Sequence, residues 1–128
     1  MHLVGPDEPP NVIDGALVCD TVAHLPAFEV MHDWVKRFAL MADPTRLTIL
    51  LCIRRAGEIC VTDLAAAAQV RDTTASQALR LLRVHEVVEP RRAGRVVYYR
   101  LVDDRIRDVL DLIDGPPVVR HAQASSTR

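Results

Sequence analysis

Residues 60–101 read CVTDLAAAAQVRDTTASQALRLLRVHEVVEPRRAGRVVYYRL, and they contain the most informative pattern of the chain. Thr62 can cap a short helix, and residues 69–71 then leave room only for a tight turn. A second helix opens at Asp72 or Arg71, with alanine and leucine side chains on one side and hydroxyl, amide and arginine side chains on the other. Two short helices joined by a tight turn, the second with a polar side, are typical of a helix-turn-helix.

An arginine-rich hairpin follows the second of these helices. Residues 87–92 and 95–101 read as two strands, and Ala93-Gly94 between them supplies a glycine turn. Residues 71–100 contain seven arginines and only three carboxylates, whereas the whole chain has a formal net charge of −1. The bulk charge does not indicate a nucleic-acid partner, but this local concentration of positive charge favours one.

Three further helices are predicted around this stretch. Apolar side chains recur every three or four residues from Phe28 to Met41, which indicates a first helix with one apolar side. Asp43, followed by proline, is a strong start for a second helix, and residues 58–61 read as a short extended stretch. Asp103 or Asp104 can cap a last helix. The prediction is a mainly α fold with a small β-hairpin, a winged helix-turn-helix of five helices.

The chain of 128 residues, 49% of them apolar, is large enough for one buried core. We expect an N-terminal arm at residues 1–25, the folded domain at residues 26–114 and a flexible C-terminal tail at residues 115–128. No apolar run approaches the roughly 20 residues of a membrane span, and the N-terminus does not resemble a secretory signal. A cytoplasmic protein with three reduced cysteines is therefore expected. Neither a glycine-rich phosphate loop nor a nucleophile elbow is present, so an enzyme is not expected.

Four blocks of sequence resemble the signature blocks of the ArsR/SmtB family of metal-sensing winged helix-turn-helix repressors. They occur in the family's order and spacing, and the resemblance covers residues 28–114. The blocks are Ala42-Asp43-Pro44-Thr45-Arg46-Leu47, Cys60-Val61-Thr62-Asp63-Leu64-Ala65, Ser76-Gln77-Ala78-Leu79-Arg80-Leu81-Leu82 and Gly94-Arg95-Val96-Val97-Tyr98-Tyr99. The resemblance implies a homodimer, built from the first and last helices, that binds an inverted repeat in double-stranded operator DNA.

Polar and basic side chains of the fourth helix and the hairpin are the candidate DNA contacts. Glutamine suits adenine, arginine suits guanine or a phosphate, and hydroxyl groups can bind either base edges or phosphates. The candidate residues are Arg71, Thr73, Thr74, Ser76, Gln77, Arg80, Arg92 and Arg95. Two positions depart from the family pattern, since Gln69 stands where the turn usually has glycine and Arg71 where the helix usually has a serine cap.

The resemblance also implies a metal site at the start of the third helix. Cys60 and Asp63 stand three residues apart there, so both side chains can point to one side. In the zinc-sensing members, the remaining ligands come from the partner's N-terminal arm, where Cys19 and His24 are the candidates, with Asp20 as a substitute for His24. A thiolate, imidazole and carboxylate set suits Zn²⁺ and, with two sulfurs, Cd²⁺ or Pb²⁺. Metal binding would then release the repressor from DNA.

Other functions remain open at this point. A second family metal site on the last helix is not expected, because Arg105 stands where a histidine ligand would be. Cys19 and Cys60 could instead pair in a repressor that senses oxidants or persulfides, whereas arsenite prefers three thiolates. Cys52 lies within an apolar helix and is expected in the core rather than as a ligand. A winged-helix protein-interaction module is a further alternative.

Overall fold

The computed structural model describes residues 11–115, which contain six helices and one three-stranded antiparallel sheet. The helices are α1 (Gly15–Ala23), α2 (Phe28–Met41), α3 (Pro44–Ala56), α4 (Val61–Ala68), α5 (Asp72–Val84) and α6 (Asp104–Asp114). The strands are β1 (Ile59–Cys60), β2 (Val88–Ala93) and β3 (Val96–Leu101). Residues 1–10 of the predicted arm and 116–128 of the predicted tail lie outside the described residues. The chain forms two compact units, which divide between Lys36 and Arg37.

Helix α1 corrects the prediction of five helices, because the described part of the chain contains six. The side chain of Asp14 caps this helix by accepting a hydrogen bond of 2.9 Å from the backbone N–H of Leu17. Such a cap satisfies one of the free amides at the start of a helix. The nine-residue helix carries Cys19 at its middle position, and His24 is its C-terminal cap residue. The predicted N-terminal arm therefore includes a regular helix.

Helix α2 has the predicted bounds, but its apolar side is mainly exposed. Phe28, Met31 and Val35 are 76%, 46% and 60% exposed, and only Leu40 and Met41 of this helix are buried. Apolar side chains at this spacing normally cover a core. In α2 they therefore form a solvent-facing apolar stripe within the single chain.

The second unit has an apolar core formed by the last residues of α2, by α3, α4, α5 and α6, and by the hairpin. Asp43 caps α3 by accepting from the backbone N–H of Arg46 at 2.9 Å, and Pro44 occupies its first turn. Asp103 caps α6 in the same way, through the N–H groups of Arg105 and Ile106. The largest fully buried side chains are Ile49, Leu50, Ile53, Leu64, Leu79, Leu82, Val87, Val88, Ile106 and Leu110.

The sheet has the strand order β1-β3-β2. The predicted hairpin is confirmed, with its register running from Val88 opposite Leu101 to Ala93 opposite Val96, and Gly94 takes the positive φ of 66° that the turn requires. The predicted extended stretch contains β1, whose residues Ile59 and Cys60 pair with β3. None of the described helices is long and apolar enough to cross a membrane.

The start of α4 differs from the prediction. Thr62 is the second residue of this helix rather than its cap, and Cys60 occupies the cap position without a side-chain hydrogen bond to the helix amides. The backbone of Cys60 is extended because it pairs with Tyr98 in the sheet, so the helix begins directly after that pair. Between the two predicted starts of α5 the structure selects Asp72, with Arg71 at the cap position.

Candidate DNA interface and metal-ligand positions

The turn between α4 and α5 depends on Gln69. Its backbone lies in the left-handed region, at φ 60° and ψ 45°. The N–H of Val70 donates to the carbonyl of Ala65 at 2.9 Å, which closes the end of α4. Glycine usually occupies such a left-handed position because a Cβ atom makes it unfavourable. The tight turn predicted at residues 69–71 is therefore present, but it is made by a residue that is strained there.

Helix α5 has one buried and one exposed side. Ala75, Ala78, Leu79 and Leu82 are buried. The exposed predicted contacts are Arg71, Thr73, Gln77 and Arg80, whereas Thr74 and Ser76 are half-buried. The exposed set presents guanidinium, hydroxyl and amide groups, the groups that bind base edges and phosphates in a major groove. The half-buried hydroxyl groups are less accessible to such a partner.

The arginines of this region fall into two classes. Arg91 forms an ion pair with Glu58, and Arg100 forms one with Glu89. Among residues 11–115, no carboxylate lies within 4.0 Å of the other arginines of this region. These are Arg71, Arg80, Arg83, Arg92 and Arg95. They carry uncompensated positive charge along α5 and the hairpin. Arg83 was not among the predicted contacts, although it follows Arg80 by three residues on the same helix and is also exposed.

The ion pair of Arg91 has a well-defined geometry. Its Nε donates to Oε2 of Glu58 at 2.8 Å, and its Nη2 donates to Oε1 at 2.8 Å. The guanidinium carbon lies 5.1 Å from the ring centroid of Tyr98, which is within cation–π distance. The hydrogen bond from Arg91 lowers the pKa of Glu58 below its usual range, so this carboxylate stays charged at neutral pH. This cluster of Glu58, Arg91 and Tyr98 was not predicted from the sequence.

Two of the four predicted metal ligands lie together at the N-terminus of α4. Cys60 holds the cap position of α4 and Asp63 lies in its first turn. Side chains at the cap position and three residues later are neighbours at a helix N-terminus, as in a capping box. Cys60 is half-buried, Asp63 is exposed, and Asp63 forms no ion pair with another described residue. A thiolate and a carboxylate in this arrangement can supply two of the four ligands of a tetrahedral zinc site.

The other two predicted ligands lie on α1 and at its end. Cys19 is half-buried, and His24 is the exposed C-terminal cap residue. Nδ1 of His24 lies 2.7 Å from the carbonyl oxygen of Asp20. Because a carbonyl oxygen only accepts, Nδ1 is the donor in this contact, and Nε2 is the ring nitrogen that is left to bind a metal.

The described residues of one chain do not bring a complete metal-ligand set together. Within residues 11–115, no three histidine, cysteine or acidic side chains lie close enough together to hold a metal ion. Cys19, Cys52 and Cys60 form no disulfide with one another. Burial raises the pKa of the Cys52 thiol, which packs against the core, so it stays protonated and is a poor ligand.

Comparison with known proteins agrees with this arrangement. Residues 43–89 match the family model described as bacterial regulatory protein, arsR family. The chain is 43% identical over 72 residues to a transcriptional repressor SmtB homolog of Synechocystis, a match that covers 56% of this chain and 54% of that protein. It is 34% identical over 79 residues to a cadmium resistance transcriptional regulatory protein CadC homolog of Staphylococcus aureus, covering 62% and 65% of the two chains. The matched region thus spans about half to two thirds of these relatives.

A longer match and two solved structures are consistent with the same family. The HTH-type transcriptional repressor SmtB of Mycobacterium tuberculosis is 32% identical over 92 residues, which cover 72% of this chain and 67% of that protein. The crystal structure of the AntR antimony-specific transcriptional repressor aligns with a TM-score of 0.67 at 29% identity, over 80% of this chain and 89% of that one.

The second structure is the solution structure of a homodimeric winged helix-turn-helix DNA-binding domain, Mb0332 of Mycobacterium bovis. It aligns with a TM-score of 0.60 at 28% identity, over 72% of this chain and 86% of that one. The named relatives are transcriptional regulators and not enzymes. From its sequence blocks, its fold and these matches, the chain belongs to the ArsR family of bacterial regulatory proteins and is a winged helix-turn-helix regulator.

Proposed function

We propose that this protein is a cytoplasmic transcriptional repressor that binds operator DNA as a homodimer and is released when Zn²⁺, Cd²⁺ or Pb²⁺ binds. The observation that carries the proposal is the run of five exposed arginines along α5 and the hairpin that have no carboxylate partner among the described residues. Protein arginines of this kind bind the phosphates and guanine edges of DNA.

In this proposal α5 is the recognition helix. Thr73 and Gln77 lie on the exposed side of its N-terminal half, the part of a recognition helix that reaches base edges in the major groove. Arg80 follows on the same side and binds a guanine or a phosphate. Arg92 and Arg95 lie at the tip of the wing, which is the β2–β3 hairpin. They bind the flanking DNA backbone or the minor groove.

The exposed apolar side chains support a dimer. Phe28 and Val35 of α2 are 76% and 60% exposed, and Leu112 and Ile113 of α6 are also largely exposed. Exposed apolar surface of this extent is typical of an interface with another chain. A two-fold dimer carries two recognition helices, which fit half-sites about 34 Å apart in an inverted repeat. The homodimeric Mb0332 domain, which has the same fold, supports this assembly.

The inducer site is proposed between α4 of one subunit and the N-terminal arm of its partner. Cys60 and Asp63 supply a thiolate and a carboxylate, and the partner's Cys19 and His24 complete a tetrahedral set, with Asp20 as the alternative to His24. Two sulfur ligands favour Zn²⁺, Cd²⁺ and Pb²⁺ over harder cations. A cadmium resistance regulator among the relatives supports this range of metals.

Release follows from thermodynamic linkage. Suppose that the metal binds the DNA-free dimer more tightly than the DNA-bound dimer. The metal must then lower the affinity of the dimer for DNA by the ratio of these two metal affinities. The proposed ligands Cys60 and Asp63 lie at the start of α4, which is the first helix of the helix-turn-helix. A coupling of about 1.4 kcal/mol already changes operator affinity tenfold.

The test replaces the central ligand. Cys60→Ser removes the thiolate while keeping a small side chain, and Cys52→Ser is the matched control because Cys52 lies outside the proposed site. We expect Cys60→Ser to bind operator DNA as the wild type does but to remain bound when cadmium is added. Cys52→Ser should still be released. Release of Cys60→Ser at the same cadmium concentration as the wild type would remove Cys60 from the site.

A further inference from the structure

The proposed ligand Cys60 lies in the same sheet as the wing. Cys60 pairs with Tyr98 on β3, and Tyr98 pairs with Arg91 on β2. Residues directly opposite each other in antiparallel strands project from the same face of the sheet. Cys60, Tyr98 and Arg91 therefore form one row across the three strands, from the start of α4 to the outer strand of the wing.

A second connection runs parallel to this row. Glu58, two residues before Cys60, accepts the two-pronged hydrogen bond of Arg91 at 2.8 Å for each nitrogen, and the guanidinium group also lies over the Tyr98 ring. A paired fork of this kind fixes orientation as well as distance. Residues 58–60, which form the Cys60 segment, are thus joined to the wing by backbone pairing and by the Arg91 side chain.

We infer that Arg91 is a positioning residue that couples the Cys60 segment to the wing within one subunit. This inference rests on the proposed function, because it concerns how occupation of Cys60 reaches the DNA-binding surface. Arg92 directly follows Arg91, and Arg95 follows the turn of the hairpin. The two unpaired wing arginines therefore lie next to the clamp, which is the ion pair between Arg91 and Glu58. A displacement of Cys60 on binding a metal would move them relative to α5.

The short length of β1 makes the side-chain clamp important. This strand contributes only two residues to the sheet, and its last residue already caps α4. Two backbone pairs hold a strand weakly, and Ile59 adds packing against the core, so the Arg91 fork to Glu58 is a further side-chain constraint that keeps the segment in register with the wing. Without it, the Cys60 segment is held less firmly to the hairpin.

The hairpin offers a matched control. Arg100 also forms an ion pair on this sheet, but its hydrogen-bonded partner Glu89 belongs to β2, so this pair joins the two strands of the wing, and Arg100 acts on Glu58 only through coulombic attraction. Arg91→Gln and Arg100→Gln remove the same charge from the same hairpin. Only Arg91→Gln removes the clamp to the Cys60 segment.

The first measurement compares operator affinity with and without cadmium for the wild type and both variants. If cadmium lowers wild-type affinity about tenfold or more, we expect a loss of about threefold or less in Arg91→Gln and the full loss in Arg100→Gln. Cadmium affinity of the DNA-free protein should be unchanged in both variants. A full response in Arg91→Gln, or an equal reduction in both variants, would overturn the inference.

A second measurement needs neither metal nor DNA. The alkylation rate of Cys60 by iodoacetamide, followed by peptide mass spectrometry, reports how often the segment opens in the metal-free protein. We expect an increase of about threefold in Arg91→Gln and no change in Arg100→Gln. Equal rates in all three proteins would overturn the inference. A wild type that no metal releases would contradict the proposed inducer, and the alkylation rates would then decide the coupling independently.

Discussion

Arg54, near the end of α3, donates from Nε to Oδ1 of Asp111 on α6 at 2.6 Å. The same guanidinium group donates to Oδ2 of Asp114 at 2.7 Å and to the carbonyl of Gly115 at 3.0 Å. The Arg54 side chain is only 9% exposed. A cation at the C-terminal end of a helix is stabilised by the helix dipole. Arg54 therefore fixes the end of α6 to α3, the helix directly before β1 and α4.

Replacing Arg54 should destabilise the protein. Arg54→Met removes a nearly buried cation. Two carboxylates and one backbone carbonyl then lose the hydrogen bonds that Arg54 donates to them. Both carboxylates are more than 40% exposed, so we expect a loss of about 2 kcal/mol in the free energy of unfolding, below the 3–5 kcal/mol of a fully buried pair. Urea denaturation measures it. Arg55→Met, at the exposed neighbouring position, should change stability by less than about 0.5 kcal/mol. Equal denaturation midpoints for the two variants would contradict this role.

Replacing Gln69 by glycine should stabilise the protein, whereas replacing Arg54 should destabilise it. Its φ of 60° is unfavourable for a residue with a Cβ atom, so Gln69→Gly should stabilise the protein by about 0.5–1 kcal/mol despite the greater freedom of glycine in the unfolded chain. Ala66→Gly, at an exposed position within α4, should instead destabilise it by about 1 kcal/mol. Thermal unfolding of both variants tests the pair, and a loss of stability in Gln69→Gly would show that the turn is not strained.

Most of the fold could be predicted because local sequence signals decide it. Asp43 with Pro44 starts α3, Asp103 caps α6 and Gly94 forms the hairpin turn, each through a contact within four residues. Strand β1 was predicted only as extended chain, because a two-residue strand is defined by its partner and not by its own pattern. The prediction that Thr62 caps α4 failed for the same reason, since pairing of Cys60 with Tyr98 determines where the helix begins.

Helix α1 was missed although its cap is local. Asp14 accepts from Leu17, which is a usual N-terminal cap, but prolines lie on both sides of this segment and none of its residues is buried. Without a buried side, the segment lacks the clear apolar periodicity from which helices are predicted.

The candidate DNA surface was only partly predictable. The polar side of α5 follows from helical spacing, so Thr73, Gln77 and Arg80 could be named from sequence. The difference in ion pairing between Arg91 and Arg92 could not be predicted, because it depends on which residue from a distant part of the chain lies beside each arginine. Arg91 faces Glu58, which is more than thirty residues earlier in the chain. Strand alternation places Arg92 on the opposite face, where no described carboxylate neutralises it.

The unpaired arginines should dominate the dependence of DNA binding on salt. Arg80→Gln should lower operator affinity about tenfold and reduce the slope of log affinity against log salt by about one, because one phosphate or base contact is lost. Arg100→Gln removes an arginine that Glu89 already compensates, so we expect a much smaller change in affinity and slope. Fluorescence anisotropy at several salt concentrations measures both. Equal slopes for the two variants would argue against α5 as the recognition helix.

The exposed apolar stripe of α2 should hold the dimer together. Val35→Glu places a charge at a position that is 60% exposed in the single chain, and burying it in an interface without a partner is unfavourable. We expect this variant to sediment as a monomer at micromolar concentration and to lose operator binding. Lys36→Glu, at the adjacent exposed position, should remain dimeric. A dimeric Val35→Glu would place the interface elsewhere.

The most direct test of the account is fluorescence anisotropy of the reduced wild-type protein on DNA from upstream of its own gene, titrated with zinc, cadmium and lead at fixed salt. We expect tight binding that one or more of these metals weakens by about tenfold or more, a coupling of about 1.4 kcal/mol. Tight binding that all three metals leave unchanged would contradict metal release, and no binding to that DNA at low salt would contradict the repressor itself.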